Sequence, residues 1–311
     1  PASGYRSRCE FGYKNGSYTM VKDGKKVLLD HFDLPVSAIQ NIMKPLLEAI
    51  NTNPLINKKL FQINFRAVNQ IVLVTLIYHK QLDQNWLESA RIIETKLDIN
   101  VLGRSKNQLL ATHLTELEQY IDINPSYYLY QNDKTFYQPN AFLMPKMVKL
   151  VISLIENPRD LLELYCGSGT FTIPLSYSFK NVFATENNRE SISYLKKSIH
   201  KNHIKNIFYA RLSDIELMDA YKGRIFRRLE NIDLKNFNFS HVLVDPPRSG
   251  LSHNVTEILN KFENIIYISC NPDTFKRDLD KLKDYRIKKL EVFDQFSNTP
   301  HLELIALLIK R

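Results

Sequence analysis

From Ala141 onward, short apolar runs alternate with helical segments, and no other feature limits the possible folds as much. LLELY (161–165), NVFATE (181–186), NIFYARL (206–212), HVLVD (241–245) and NIIYIS (264–269) are each of strand length. Strands covered on both faces read as near-continuous apolar runs, and parallel neighbours need a helix-length crossover between them. The intervening segments have that length, with helices expected over 141–156, from the glycine turn at 166–171 to about Phe179, and over 189–203. The pattern predicts a doubly wound, Rossmann-like α/β sheet. A polar, basic stretch (213–240) reads as an insertion. RIKKLEVFD (286–294) and LELIALLIK (302–310) follow without a helix between them, so these sixth and seventh strands are expected to form a terminal antiparallel hairpin.

The first part of the chain reads differently. YRSRCEFGY (5–13), SYTMV (17–21) and KKVLLD (25–30) are strand-like and are separated by the turn pairs Asn15-Gly16 and Asp23-Gly24. A helix is expected over 34–50, kinked or divided at Pro45. Strands over 60–68 and 70–80 should pair around Asn69, and 82–98 is an amphipathic helix with Trp86, Ala90, Ile93 and Leu97 on one face. Short strands near 99–104 and 115–123 complete a mixed α+β domain. Polar and aromatic residues at 127–141 mark its end, so we expect an N-terminal domain over 1–126 and a second over 127–311. A chain of 311 residues has room for both.

The basic balance, with a net charge of +9, suits a polyanionic partner. Arg6, Arg8, Lys14, Lys25 and Lys26 stand among Tyr5, Phe11, Tyr13 and Tyr18. Such a mixture can stack and hold an unpaired RNA base, and it can equally be a solvated sheet face above core aromatics. Runs such as IVLVTLIY (71–78) are too short to span a bilayer. The three cysteines, Cys9, Cys166 and Cys270, offer no disulfide framework, so a reducing cytoplasm is the expected setting. The scattered histidines give no metal or iron–sulfur ligand spacing. The plain expectation for oligomeric state is a monomer. The chain opens on Pro1, so a longer natural chain is expected.

Chemistry gathers where strands end. Gly167 and Gly169 in CGSGTF let backbone approach a ligand at the first strand-to-helix turn. Glu186 ends the next strand about 20 residues on, where an acid can hold ribose hydroxyls. Thr170 and Phe171 stand where a pyrophosphate clasp would need its third glycine, which favours an adenosine ligand without pyrophosphate, such as S-adenosylmethionine. VDPPRSG (244–250) makes a rigid turn bearing Asp245. Arg248 replaces the aromatic residue that ends a similar turn in amino-methylating enzymes, and the next strand ends on Cys270. That combination suggests methylation at carbon. C5 of uracil is a poor nucleophile, so a thiolate must first add at C6, and a base must later remove the C5 proton. Cys270 lies between a strand end and a helix N-terminus, a position that lowers a thiol pKa. Glu303, at the start of the last strand, is the candidate base. Cys166 is the rival thiol, but its place in the glycine turn suits packing.

FYQPNA, LLELYCGSGTF, ATE, VDPPRSGL, YISCNP and the FDQF…TPHLE tail together resemble the tRNA (uracil-5-)-methyltransferases, and YRSRCEF, NPLINKKLFQINF and LGRSK extend the likeness through the N-terminal part. The resemblance implies a seven-stranded S-adenosylmethionine-dependent methyltransferase fold with an N-terminal RNA-binding domain. It implies methyl transfer to C5 of the T-loop uridine of tRNA. Cys270 is implied as the nucleophile and Glu303 as the proton acceptor. Gln138, Tyr165, Thr170, Glu186 and Asp245 are implied as S-adenosylmethionine contacts. No metal is implied, and RNAs with a T-like stem-loop are further candidate substrates. Thr170 stands where relatives can carry asparagine, and Ser297 where proline is common. A ribosomal-RNA uracil-5 methyltransferase and an RNA-folding module without methylation are the competing readings.

Overall fold

The computed structural model describes residues 2–22, 24–297, 299 and 301–311. Pro1, Asp23 of the expected Asp23-Gly24 turn, and Pro300 of the tail motif lie outside the described residues. The chain divides into two units. One comprises 1–119, 131–134 and 139–141, and the other 120–130, 135–138 and 142–311.

The first unit is a seven-stranded sheet. Its elements are β1 (Arg8–Lys14), β2 (Ser17–Lys22), β3 (Lys25–Leu28), α1 (Ser37–Asn51), α2 (Pro54–Asn57), β4 (Leu60–Val68), β5 (Ile71–Tyr78), α3 (Gln84–Leu97), β6 (Asn100–Ser105) and β7 (Gln108–Ala111). The sheet order is β3-β2-β1-β4-β5-β6-β7. Only β5 and β6 are parallel, and α3 supplies their crossover. Asn15 and Asn69 take left-handed backbone at the expected hairpin turns. Of the two outcomes expected at Pro45, a kink or a division, the division does not occur, and α1 runs through it. Its missing N–H costs one ladder bond, while Ile39, Leu46 and Ile50 are fully buried and hold the helix from both sides. Strand β7 was not anticipated, and Asn107, with φ of 58°, makes the turn that starts it. Tyr5, Phe11 and Tyr18 are buried, so they belong to the core and are no stacking surface.

A two-stranded sheet of β8 (Leu117–Ile121) and β9 (Tyr127–Gln131) follows. The second unit continues with α4 (Met144–Ser153), β10 (Asp160–Leu164), α5 (Thr172–Leu175), β11 (Asn181–Glu186), α6 (Arg189–Lys201), β12 (Ile207–Arg211), α7 (Asp214–Tyr221), β13 (Phe239–Val244), α8 (His253–Leu259), β14 (Asn264–Ser269), α9 (Pro272–Leu279), β15 (Tyr285–Phe293) and β16 (Glu303–Lys310). Its sheet order is β12-β11-β10-β13-β14-β16-β15. Strands β10 to β14 are parallel, and β16 runs antiparallel between β14 and β15. The expected terminal hairpin is therefore present, and the last strand takes the inner place. The seven-stranded α/β architecture expected from the sequence is the one found.

Side chains alternate between two apolar layers. Leu161, Val182, Leu243, Ile266 and Ile305 face the layer that holds Met147 and Leu195 of α4 and α6. Leu162, Phe183, Val242, Ile265 and Leu304 face Leu217, Val255 and Phe275 of α7, α8 and α9. Each such buried aliphatic side chain contributes about 1.5–3 kcal/mol relative to exposure, so the sheet is held from both faces. Two sequence expectations need correction here. Helix α5 is a single turn, short of the helix expected to reach Phe179. The segment 213–240 is not merely an insertion, because α7 opens it with a reciprocal capping box between Ser213 and Glu216.

Candidate active site

Parallel strands deliver their carboxyl ends to one edge of a sheet. The chain leaves β10 toward β11 on one side and returns to β13 on the other, so a crevice opens beyond the ends of β10 and β13. Tyr165 follows β10 and Asp245 follows β13. Glu186 ends β11, and Cys270 follows β14.

Glu303 reaches the same edge from the opposite direction. In the β14–β16 ladder Ser269 pairs with Leu304, so one further step sets Cys270 opposite Glu303. Adjacent strands lie about 4.8 Å apart. The thiol and the carboxyl are therefore neighbours although they are far apart in sequence. Helix α9 begins just beyond Cys270, capped by the Asn271 side chain, which accepts from the Asp273 N–H at 3.1 Å.

The glycine turn has the backbone for close ligand approach. Tyr165, Gly167 and Gly169 have φ of 60°, 56° and 98°, and at Gly167 a Cβ would meet nothing within 4 Å. That open side is a cradle in which a small ligand can lie against main chain. Glu186 braces it: one carboxylate oxygen accepts from the Gly167 N–H at 3.1 Å and the other from the Asn188 N–H at 2.7 Å. Both oxygens keep lone pairs for a ribose hydroxyl. Thr170 is half-buried at the end of the turn. These donors and acceptors fit an adenosyl ligand with a charged tail.

Gln138 lies outside the sheet, and Gln295, just past β15, ties it to this edge. The Gln295 Nε2 donates to the Gln138 Oε1 at 2.6 Å, and both side chains are buried. Sequence reasoning missed Gln295, although it sits in the FDQF motif. It also missed Glu163, an acid within an otherwise apolar strand. Burial is the first cause that pushes Glu163 up to about 8, and the charge of nearby Asp245 acts in the same direction.

Electrostatics correct one expectation. The helix N-terminus was expected to lower the Cys270 pKa, yet in this structure the thiol is raised. Burial raises it most and the Glu303 carboxyl adds to that, while the Arg248 guanidinium opposes both. Burial likewise pushes Asp245 upward. For Glu303 burial is again the first cause and Asp245 the second, with Arg248 opposing. Two carboxyls at one dry edge resist double ionisation and retain a proton. Arg248 is thus the cation set among the thiol and the acids, a part that sequence reasoning noted only as a replacement. Cys166, the rival thiol, is buried, and burial raises its pKa. Among the described residues no three His, Cys, Asp or Glu side chains gather as a metal site, and no helix is long and apolar enough to cross a membrane.

Known proteins resemble this chain along nearly its whole length. A protein named tRNA/tmRNA (uracil-C(5))-methyltransferase from Campylobacter concisus is 43% identical over 313 residues, covering 98% of this chain and 85% of its own length. Its namesake from Saccharophagus degradans is 40% identical over 324 residues, covering 100% of this chain and 89% of its own. Among solved structures, the Pyrococcus abyssi tRNA (uracil-54, C5)-methyltransferase in complex with S-adenosyl-L-homocysteine shares the fold, with a TM-score of 0.78 at 23% identity over 99% of this chain and 77% of that one. The tRNA (uracil-5-)-methyltransferase family model matches residues 1–311. The chain belongs to the tRNA (uracil-5-)-methyltransferase family.

Proposed function

We propose that this protein methylates C5 of the T-loop uridine of tRNA, with Cys270 as nucleophile and Glu303 as proton acceptor. Family membership makes it a uracil-C5 methyltransferase that uses S-adenosylmethionine. The observation that supports the mechanism is the antiparallel register of β14 and β16: its last pair is Ser269 with Leu304, which leaves Cys270 and Glu303 as the next residues at the edge of Asp245 and the glycine turn.

The Cys270 thiolate adds to C6 of an extruded uracil, forming the S–C6 bond and moving an electron pair onto the ring as an enolate. Arg248 supports the thiolate by its positive charge. Bound in the crevice, S-adenosylmethionine would supply the methyl group, the enolate electron pair forming the C5–methyl bond as the methyl–sulfonium bond breaks to leave S-adenosylhomocysteine. Glu303 then accepts the C5 proton, the ring electrons reform C5=C6, and the S–C6 bond breaks to return the thiolate. A carboxylate whose pKa is raised is the stronger proton acceptor once ionised. Gln138, Tyr165, Thr170, Glu186 and Asp245 would hold S-adenosylmethionine. Glu186 serves the ribose, and Tyr165 and Asp245 line the crevice mouth.

The first unit is the part that binds RNA. It presents Lys14, Lys25 and Lys26 to solvent. Relatives are named for both tRNA and tmRNA, which favours the T-like stem-loop as the shared substrate feature. The test is transfer of labelled methyl groups to tRNA, tmRNA and ribosomal RNA transcripts, followed by mapping of the modified uridine. Modification confined to ribosomal RNA would overturn the substrate. A label at a tRNA uridine outside the T-loop would overturn the position.

A further inference from the structure

The loop that carries Arg248 runs from Asp245 to Ser252 without regular structure, yet helix α9 holds most of it. The anchor is Asp278, which is fully buried. Its Oδ2 accepts from the Leu251 backbone N–H at 2.7 Å and from the Tyr267 hydroxyl at 2.9 Å. Its Oδ1 accepts from Arg277 Nε at 3.0 Å and Nη2 at 2.7 Å, and Lys281 Nζ lies 3.6 Å away. Arg277 Nη2 also donates to the Ser249 carbonyl at 2.8 Å. Asn271, the cap of the same helix, donates through Nδ2 to the Arg248 carbonyl at 3.3 Å.

Residues 248, 249 and 251 are thus each tied to α9 or its cap. Gly250 completes the latch. Its φ is +76°, and a Cβ there would lie 2.5 Å from both Arg277 Nη2 and Asp278 Oδ2, so the loop backbone rests directly on the ion pair. A buried carboxylate is costly unless fully paired, and hydrophobic packing could fill such a place at less cost. What the ion pair adds is direction. It fastens the Arg248 loop to the helix that starts beside Cys270.

We propose that Asp278 is a positioning residue for Cys270: through the Leu251 N–H and Arg277 it fixes the loop that sets the Arg248 guanidinium beside the thiol. The proposal rests on the reading of Cys270 as nucleophile, but its test does not require turnover. The groups facing Cys270 are Glu303 and Asp245, which disfavour the thiolate, and Arg248, which favours it. Removing the negative charge of Asp278 would by itself ease thiol ionisation. An effect of the opposite sign must therefore come through Arg248.

The experiment follows iodoacetamide alkylation of the Cys270 peptide by mass spectrometry across pH, in the intact protein and in Asp278→Asn, Arg277→Gln, Arg248→Ala and the Arg248→Ala/Asp278→Asn pair. Asp278→Asn should move the alkylation midpoint up by about half a unit, slowing alkylation about threefold below the midpoint. Arg277→Gln, at a partly exposed side chain, should shift it the same way by less and serves if Asp278→Asn does not fold. The double variant should match Arg248→Ala alone, because Asp278 acts through Arg248. A midpoint unmoved or lowered in Asp278→Asn and Arg277→Gln, or shifts that add in the double variant, would overturn the latch. Methyl transfer retained by Cys270→Ala would instead overturn the nucleophile, whatever the alkylation curves show.

Discussion

The two seven-stranded sheets are of equal strand number and opposite chemical character. In the first, mostly antiparallel, successive strands end on opposite edges, so side chains at strand ends are dealt alternately to two sides. In the second, parallel strands send Tyr165, Glu186, Asp245 and Cys270 to one edge. Its antiparallel strand β16 contributes through its beginning, and that beginning is Glu303. Strand direction decides whether residues distant in sequence can act together. The first sheet therefore packs, and the second also gathers reactive groups.

The sharpest way to break this contrast is at Cys270. Cys270→Ala should lower methyl transfer by about 10⁴-fold or more, because removing a nucleophile leaves only binding and orientation. Labelled transfer to tRNA transcripts measures it, and a near-normal rate would mean that the gathered edge is not the reaction centre. Glu303→Gln should slow turnover by about 10²–10⁴-fold while a covalent RNA–protein adduct accumulates on denaturing gels, since addition and methylation proceed without the final proton transfer. A slow variant without adduct would assign Glu303 to an earlier step.

The first sheet should respond differently. A Cβ at Gly103 would lie 2.3 Å from Trp86 Cη2 and 2.5 Å from Leu82 Cδ1. Gly103→Ala should cost about 1–3 kcal/mol of stability by overpacking, with turnover per folded molecule unchanged. Denaturant melts read beside single-turnover rates separate the two effects.

A smaller effect concerns the buried acid of the second sheet. Glu163 titrates near 4.5 in the open chain and is pushed up to about 8 by burial in the fold. Between those values the native state keeps a proton that the unfolded chain has released. Its contribution to stability is therefore whole below the lower value and is lost as pH rises through the upper one. Glu163→Gln should flatten that decline and be more stable than the parent at pH 8 by about 1–2 kcal/mol, with little difference at pH 4. Thermal melts across pH would show it, and parallel curves for the two proteins would contradict the buried proton.

Much of the site was legible because strand ends carry local signatures. Glycine at left-handed positions marks the turn after β10, and Asn-Pro after Cys270 marks the start of a helix, and both of these backbone features appear where expected. Pro45 does not divide α1, because one lost hydrogen bond is outweighed by the buried face of the helix. The capping pair Ser213 and Glu216 was readable as S-x-x-E, but the basic character of its surroundings concealed the helix. Gln295 and Asp278 carry no local signature. Each matters through a partner distant in the chain, Gln138 in one case and Leu251 in the other.

By itself, then, the order of residues determined the α/β class, the glycine turn, and a cysteine and a glutamate at strand ends, because periodicity and turn chemistry are local properties of the chain. Tertiary structure settled the rest. It placed β16 inside β15, which sets Glu303 against Cys270. Desolvation raises the pKa of the thiol and of the acids where a helix N-terminus alone would have favoured the thiolate. It also latched the Arg248 loop to α9. Register and burial depend on which strands and helices meet, and that information is spread over the whole sheet.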